Sequence, residues 1–339
     1  MSFFLYLVNM IVIFFLFMNS SFVGKKLDLI DRPDGVRKKH RIPTPAVGGL
    51  FFFIFIFFYL LLDFNNIYNL NLNFFFKQGI QKFFFLFCFV FIFVVGILDD
   101  RINLKPFTKI FFYIVISYLL FLTIPEISIK TIRLSFYKTI DLYEFSIFFS
   151  ILTFILFINS INMFDGINLQ SSSLFLVVWT YIGINSGFNE IIINTIIFLL
   201  IFSFFNFKKK VFLGDCGIYL LSFLSFMYLS KVYNLPSSTV NFDEIICLFL
   251  LPLTDIFRVA FVRVKNGKSP LNADNSHFHY IVKKRNNYSL TIILIILGYL
   301  FPILLLKIFK IDFILVFLFF LIYYLYFLNF NPKKKLYFF

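Results

Sequence analysis

Five aspartates stand where a mostly apolar chain can least tolerate them. Asp99 and Asp100 close an apolar run in Gly96-Ile-Leu-Asp-Asp-Arg101, and Asp165 ends another in Asn159-Ser-Ile-Asn-Met-Phe-Asp-Gly-Ile-Asn168. Asp215 lies in Phe212-Leu-Gly-Asp-Cys-Gly217 and Asp255 in Pro252-Leu-Thr-Asp255. A carboxylate at the mouth of a membrane span is costly unless something cationic uses it. Two adjacent carboxylates also repel, and a divalent cation relieves that repulsion. Mg²⁺ in particular is commonly held by one or two carboxylates together with substrate phosphates. The alternative is that these acids cap the helix that follows, whose amino terminus favours negative charge. Lys109, a turn into that helix, could face a phosphate.

Asn159, Asn162 and Asp165 are spaced by three and share one face of a helix. They could bind a hard cation or sugar hydroxyls, or form a polar seam between helices. Gly166 would end that helix or admit a ligand closely. In Gly214-Asp-Cys-Gly217, glycines around an acid at a helix start leave backbone N–H groups open to an anion while the acid takes a metal, although such pairs also make simple turns. A basic stretch from Arg258 to Arg285 carries Asp274-Asn-Ser-His277-Phe-His279, Arg263, Lys265 and Lys268. With no cysteine partner and no clear third ligand, imidazoles and cations over a phosphate or uridine fit this stretch better than zinc does. The remaining histidine, His40, sits in Arg37-Lys-Lys-His-Arg41 beside a span, where basic runs commonly serve orientation and lipid headgroups.

The elements that must position these groups are membrane helices. Of 339 residues, 60% are apolar, 14% are charged and 59 are Phe. Repeated apolar runs near the length of a bilayer crossing exclude an ordinary soluble domain. The chain reads as an all-α, polytopic membrane protein forming a single catalytic domain over 1–339. About eleven spans are expected, near 3–23, 46–62, 81–98, 107–124, 144–163, 169–186, 190–207, 213–230, 244–262, 288–306 and 311–330. The first of these is taken as a retained span, since it lacks a small-residue cleavage site. Loops at about 24–45, 99–109, 159–169, 208–215 and 263–287 are expected on the cytoplasmic side. Pro125 to Asp141 reads as a connection able to form a small hairpin.

A net charge of +14 raises the question of nucleic acid, but with the amino terminus outside, 23 of the 31 Lys and Arg residues fall in inside segments. That is the signature of membrane orientation, so no nucleic-acid partner is expected. The same assignment puts Asp99, Asp100, Asp165 and Asp215 on one side of the membrane, although the charge count did not require it. Cys88, Cys216 and Cys247 have no metal or redox spacing and read as small hydrophobes. A centre of acids ringed by cations at a membrane surface suits phosphoryl chemistry on a metal, with one substrate arriving from the bilayer.

In the order and spacing of these motifs the chain resembles the polyprenyl-phosphate N-acetylhexosamine-1-phosphate transferases of glycosyltransferase family 4. These include the WecA and TagO types and the phospho-MurNAc-pentapeptide transferase, MraY. The resemblance runs from Asp31-Arg-Pro-Asp34 and Ile42-Pro-Thr-Pro-Ala-Val-Gly-Gly49 through Gly96–Arg101 with Lys109, Asn159–Asn168, Phe212–Gly217 and Asp274–His279. It implies an MraY-like fold and transfer of a sugar 1-phosphate, most simply GlcNAc 1-phosphate, from a UDP-sugar to undecaprenyl phosphate. UMP would be released and a cell-envelope polysaccharide initiated at the cytoplasmic face of the bacterial inner membrane. The implied cofactor is Mg²⁺, with Mn²⁺ as a substitute, and the implied assembly is a homodimer among membrane lipids.

By the same resemblance Asp99, Asp100, Asp165, His277 and His279 are catalytic. Asp215, Asp99, Asp100 and Asn162 hold metal, and His40, Lys109, Asn159, Asn162, Asn168, Arg263 and Asp274 bind substrate. Three positions depart from the family pattern. The usual Asp-Gly-x-Asp-Gly is Asp165-Gly-Ile-Asn168-Leu169, the Arg expected after Asp274 is Asn275, and the third His of the cluster is Tyr280. The competing readings are the muramoyl-pentapeptide substrate, an inactive transferase-derived scaffold, and a transporter. A transporter predicts acids near the bilayer midplane and often an inverted repeat.

Overall fold

The computed structural model describes residues 3–33, 42–64, 79–271 and 274–329. The expected loop contact at His40 and the connection at 65–73 lie outside the described residues. Among the described residues thirteen helices follow one another in the order α1 Phe3–Met18, α2 Ser20–Lys26, α3 Gly48–Phe64, α4 Gly79–Ile102, α5 Pro106–Thr123, α6 Ser146–Phe164, α7 Gln170–Ser186, α8 Glu190–Phe207, α9 Gly214–Asn234, α10 Phe242–Lys265, α11 Phe278–Arg285, α12 Tyr288–Lys307 and α13 Phe313–Asn329. Every one of the eleven expected spans coincides with a helix. Among the described residues seven helices are long and apolar enough to cross a membrane, or eight when α1 and α2, bent by 57°, count as one span. Gly48–Leu61 and Phe313–Asn329 are apolar but shorter. The protein is a multi-pass, all-helical membrane protein.

Start signals fall where the sequence supplies them. Asn189 and Asn287 accept from the backbone N–H groups of Ile192 and Leu290, Asn241 and Glu244 form a reciprocal capping box, and Pro106 opens α5. Pro252 and Pro302 lie inside α10 and α12, as membrane helices allow when neighbours cover the freed backbone. The expected hairpin forms as two short antiparallel strands, β3 Thr131–Ile132 and β4 Ile140–Asp141. It is anchored on the bundle by Ser135, whose backbone N–H donates to Asp243 at 3.0 Å, and by Arg133 over the Tyr233 ring at 4.5 Å.

Helix α9 is the axis of the bundle: its membrane-length window is wholly buried. It packs against α3, α4, α6 and α7. Small residues make the closest of these crossings possible. A Cβ on Gly49 of α3 would lie 2.2 Å from the Gly217 nitrogen, and one on Gly96 of α4 would lie 2.4 Å from the Cys216 Cα. Edge-to-face and tilted phenylalanines fill the remaining space, with Phe17, Phe51 and Phe198 between α1, α3 and α8, and Phe154, Phe223 and Phe226 around α9. The three cysteines are free and buried, in keeping with a packing role.

The entry to α3 is also fixed. Thr44–Pro45 (β2) pairs with Ile30–Asp31 (β1). Pro45 accepts from Phe212, and the Gly48 and Gly49 N–H groups donate to Phe212 and Leu213 at 3.1 and 2.8 Å. The chain just before Asp215 is thereby pinned to the foot of α3.

Candidate active site

Several expected loop residues are helical. Helix α4 continues to Ile102, so Asp99 and Asp100 occupy its last turn, and α6 continues to Phe164, so only 165–169 is a link. The stretch expected as a loop at 263–287 contains the end of α10 and all of α11. Hydrophobic runs mark the apolar part of a helix, not the point where it stops, and these helices run on through a polar turn.

The two adjacent acids do different things. Asp99, 1% exposed, accepts from the Leu104 N–H at 2.8 Å with Oδ1. Its Oδ2 takes both the Tyr219 hydroxyl and, at 2.5 Å, the Lys109 ammonium. Asp100 accepts from the backbone N–H groups of Asp215 and Cys216 at 2.7 and 3.1 Å. The anion held at the start of α9 is therefore the protein's own Asp100 carboxylate, which corrects the expectation that these donors stand open. Free N–H groups and the positive helix end draw in the nearest buried acid. Gly214 makes room for it, at φ +76° and with its Cβ position 2.7 Å from Asp100 Oδ2.

Clamped this way, Asp215 sits half-buried in the field of Asp99, Asp165 and Lys109. Asp165 is accessible at the end of the bundle although protein surrounds it. That surrounding protein pushes its pKa up to about 6, against the opposing hydrogen bond from Ser171. A cation alongside would reverse that push. Asn162 stands half-buried one turn before Asp165, whereas the Asn159 amide turns back to the Ile155 carbonyl at 2.8 Å.

Asn168 has a task of its own. Its amide donates to the Asn206 carbonyl at 2.6 Å, and its carbonyl accepts from Tyr288 at 2.7 Å. The Asn206 side chain accepts from the Leu169 N–H at 2.7 Å and donates to the Val211 carbonyl at 2.8 Å. The link carrying Asp165 is thus clipped to the segment leading into Asp215. Leu169 is held at φ +67°, a conformation that suits glycine better. Asn168→Asp, which restores the carboxylate of the family pattern, is expected to lower the melting temperature and leave turnover no higher. An aspartate would aim an acceptor at an acceptor, at a cost of about 1–3 kcal/mol. A thermal melt beside a turnover assay checks this.

The histidine stretch forms the other half of the site. Arg263, 2% exposed, donates to Asp274 at 3.0 and 3.1 Å and to the Pro270 carbonyl at 2.7 Å. Partial burial works against the Asp274 charge, but the Arg263 and Ser276 hydrogen bonds outweigh it and hold its pKa below the usual carboxylate range. Both residues, expected on substrate, are occupied in shaping the loop. His277 contacts the buried Asp255 through Nδ1 at 2.8 Å and faces Arg263 through Nε2 at 3.4 Å.

His279, 0% exposed, keeps both ring nitrogens without a partner. Burial drives its pKa down to about 3, so it is a neutral imidazole at physiological pH. It stacks on His277 at 5.7 Å, and a Cβ on Gly166 would fall 1.9 Å from its Nε2. The acids and the imidazoles meet across the short Asp165–Leu169 link. Of the departures, Tyr280 lies against the His279 ring at 4.2 Å.

Fold and site together define a polytopic membrane protein with a charged centre at one end of its bundle. Residues 82–232 match the family "Glycosyl transferase family 4". In that segment the chain is similar to glycosyltransferase family 4, as the motifs suggested. It is 24% identical over 300 residues to an undecaprenyl-phosphate alpha-N-acetylglucosaminyl 1-phosphate transferase of Yersinia pestis, covering 81% of this chain and 76% of that protein. Similar proteins of the same description occur in Escherichia coli K12, at 22% identity over 280 residues covering 77% and 71%, and in Haemophilus influenzae, at 24% over 274 residues covering 76% and 72%.

Tyr219, Ser171, Asn206, Arg258 and Tyr324 contact site residues but were not expected there. Apart from Arg258, which opens the basic stretch, no motif marks them; each is an ordinary polar residue on an apolar helix or at its end.

Proposed function

We propose that this protein transfers GlcNAc 1-phosphate from UDP-GlcNAc to undecaprenyl phosphate, giving the lipid-diphosphate sugar and UMP. The observation that carries this reading is the meeting of Asp99, Lys109, Asp165, Asp215 and an unpartnered His279 at one end of the bundle, in a chain whose relatives bear that activity's name. An oxygen of the lipid phosphate attacks the β-phosphorus of the donor. The bond to the α-phosphate oxygen breaks, and UMP leaves with the electron pair. The attacking phosphate needs no base to become nucleophilic. One ammonium hydrogen of Lys109 is held by Asp99, which leaves others to meet phosphate oxygens. His279, neutral and close to Gly166, is suited to hydrogen bonding with the sugar nucleotide.

Mg²⁺ is part of the proposal. Among the described residues no three His, Cys, Asp or Glu side chains form a ready metal cage. Mg²⁺ takes few protein ligands and fills its shell from phosphates and water, so an incomplete donor set fits it. Asp215, with Asp165 near it and Asn162 one turn before Asp165, would hold the ion, because the oxygens of Asp99 and Asp100 already carry hydrogen bonds. Bound there, the ion would offset charge on the phosphates. The excess of Lys and Arg near this end supports placing it at the cytoplasmic face of the inner membrane. Assembly as a homodimer rests on the family resemblance alone.

The test is UMP release by purified protein in detergent with undecaprenyl phosphate. UDP-GlcNAc, UDP-GalNAc and UDP-MurNAc-pentapeptide would each be supplied with Mg²⁺ or with EDTA. Turnover is expected with UDP-GlcNAc alone and lost in EDTA. Turnover with only the muramoyl donor, or silence beside a working control enzyme, overturns the assignment.

A further inference from the structure

The centre just described uses residues from the body of the chain, yet one buried contact reaches it from the last described helix. Tyr324 on α13, 2% exposed, donates its hydroxyl to Asp255 Oδ1 at 2.8 Å and accepts from Arg258 Nε at 2.7 Å. Arg258 also donates to the same Asp255 oxygen at 2.7 Å and to the Ser276 carbonyl at 2.6 Å. The Phe278 N–H donates to Asp255 at 3.1 Å, and the rings of Phe278 and Tyr324 stack at 5.1 Å. Asp255, 1% exposed, is thus held from α10, α11 and α13 at once, with His277 Nδ1 on its other oxygen.

This arrangement fixes a tautomer. A carboxylate accepts, so Nδ1 of His277 carries the proton and Nε2 presents its lone pair to Arg263. The fixed ring is in turn the surface on which His279 stacks, 4° from parallel. A tyrosine hydroxyl can donate to Asp255 and accept from Arg258 together, and phenylalanine does neither.

We propose that Tyr324 is a positioning residue for the sugar-nucleotide half of the site, acting through Asp255 and His277 on the ring of His279. The inference rests on the transferase reading above. Groups that hold the partner of an imidazole commonly matter 10- to 100-fold where a metal is the ligand. The expected effect of Tyr324→Phe is a fall of about tenfold in kcat/KM for the sugar nucleotide. The KM for undecaprenyl phosphate should stay as in the wild type.

The decisive comparison is a double-mutant cycle in the full chain. If Tyr324 acts through His277, Tyr324→Phe adds nothing to the loss in His277→Gln. Additive losses, or equal changes in KM for both substrates, overturn the proposal. Should Tyr324→Phe fail to accumulate, Arg258→Lys keeps the charge, loses the Nε bond to Tyr324 and enters the same cycle.

A second readout does not depend on turnover. Histidine ¹⁵N spectra of this three-histidine chain should show one ring locked with its proton on Nδ1. That lock should loosen in Tyr324→Phe, and a spectrum unchanged by the substitution overturns the idea. A wild type inert with every donor but showing this lock refutes the transferase reading. An active wild type with additive losses refutes the role of Tyr324.

Discussion

Asp99→Ala is expected to lower turnover by three orders of magnitude or more and to destabilise the protein by about 3–5 kcal/mol, the usual result of removing one partner from a buried ion pair. Three groups converge on this one carboxylate: the Leu104 N–H, the Tyr219 hydroxyl and the Lys109 ammonium. With alanine, the largely buried Lys109 keeps its charge without its partner, and the link from α4 to α5 loses its clamp. Asp99→Asn separates the two effects. Its amide oxygen still accepts from Leu104, so much of the stability should return. Lys109 still loses the carboxylate it touches, so turnover should not recover. Thermal melts alongside UMP release distinguish the variants. An Asp99→Asn protein with near-normal turnover would show that the negative charge is dispensable and that Asp99 serves only as a turn clamp.

Gly166→Ala is the second large effect, and here the loss is of activity with the bundle intact. The added methyl would meet the His279 ring at 1.9, 2.6 and 2.7 Å. That ring cannot swing aside cheaply, because it is fully buried against Phe164, His277 and Tyr280. The link carrying Asp165 must therefore move away from α11. A shift on the order of 1 Å between catalytic groups costs about 10²-fold in rate. We expect that loss in kcat/KM with unchanged expression and helicity by circular dichroism. Full turnover in Gly166→Ala would mean that His279 and Asp165 need not meet. The same substitution at Gly187 would strain the backbone but meets no neighbour, so it tests whether glycine replacement alone has a cost.

The sequence by itself determined the helical membrane architecture, the places of the eleven apolar segments and the common side of the acidic motifs. It could do so because bilayer thickness and the cost of burying charge act on runs of residues that can be counted along the chain. Residue type and order also carried the resemblance to the transferase family. The sequence placed Asp99 and Asp100 in a loop, whereas the helix carries both into its last turn and turns their carboxylates to different partners. It could not show that Asp100 caps α9, more than a hundred residues away, since that bond depends on α4 crossing α9 at Gly96 and Cys216.

The departure at Asn168 looked like the loss of a carboxylate, and the fold makes it a donor tied to Asn206. Tyr324 carried no signal at all, being one tyrosine among several on an apolar helix, and only the packing of α13 against α10 and α11 brings its hydroxyl to Asp255. Composition and spacing thus indicated which residues share one end of the bundle. Tertiary structure decided which partner each charge meets, because a buried carboxylate takes its partner from whatever donors the crossing helices bring within hydrogen-bonding distance.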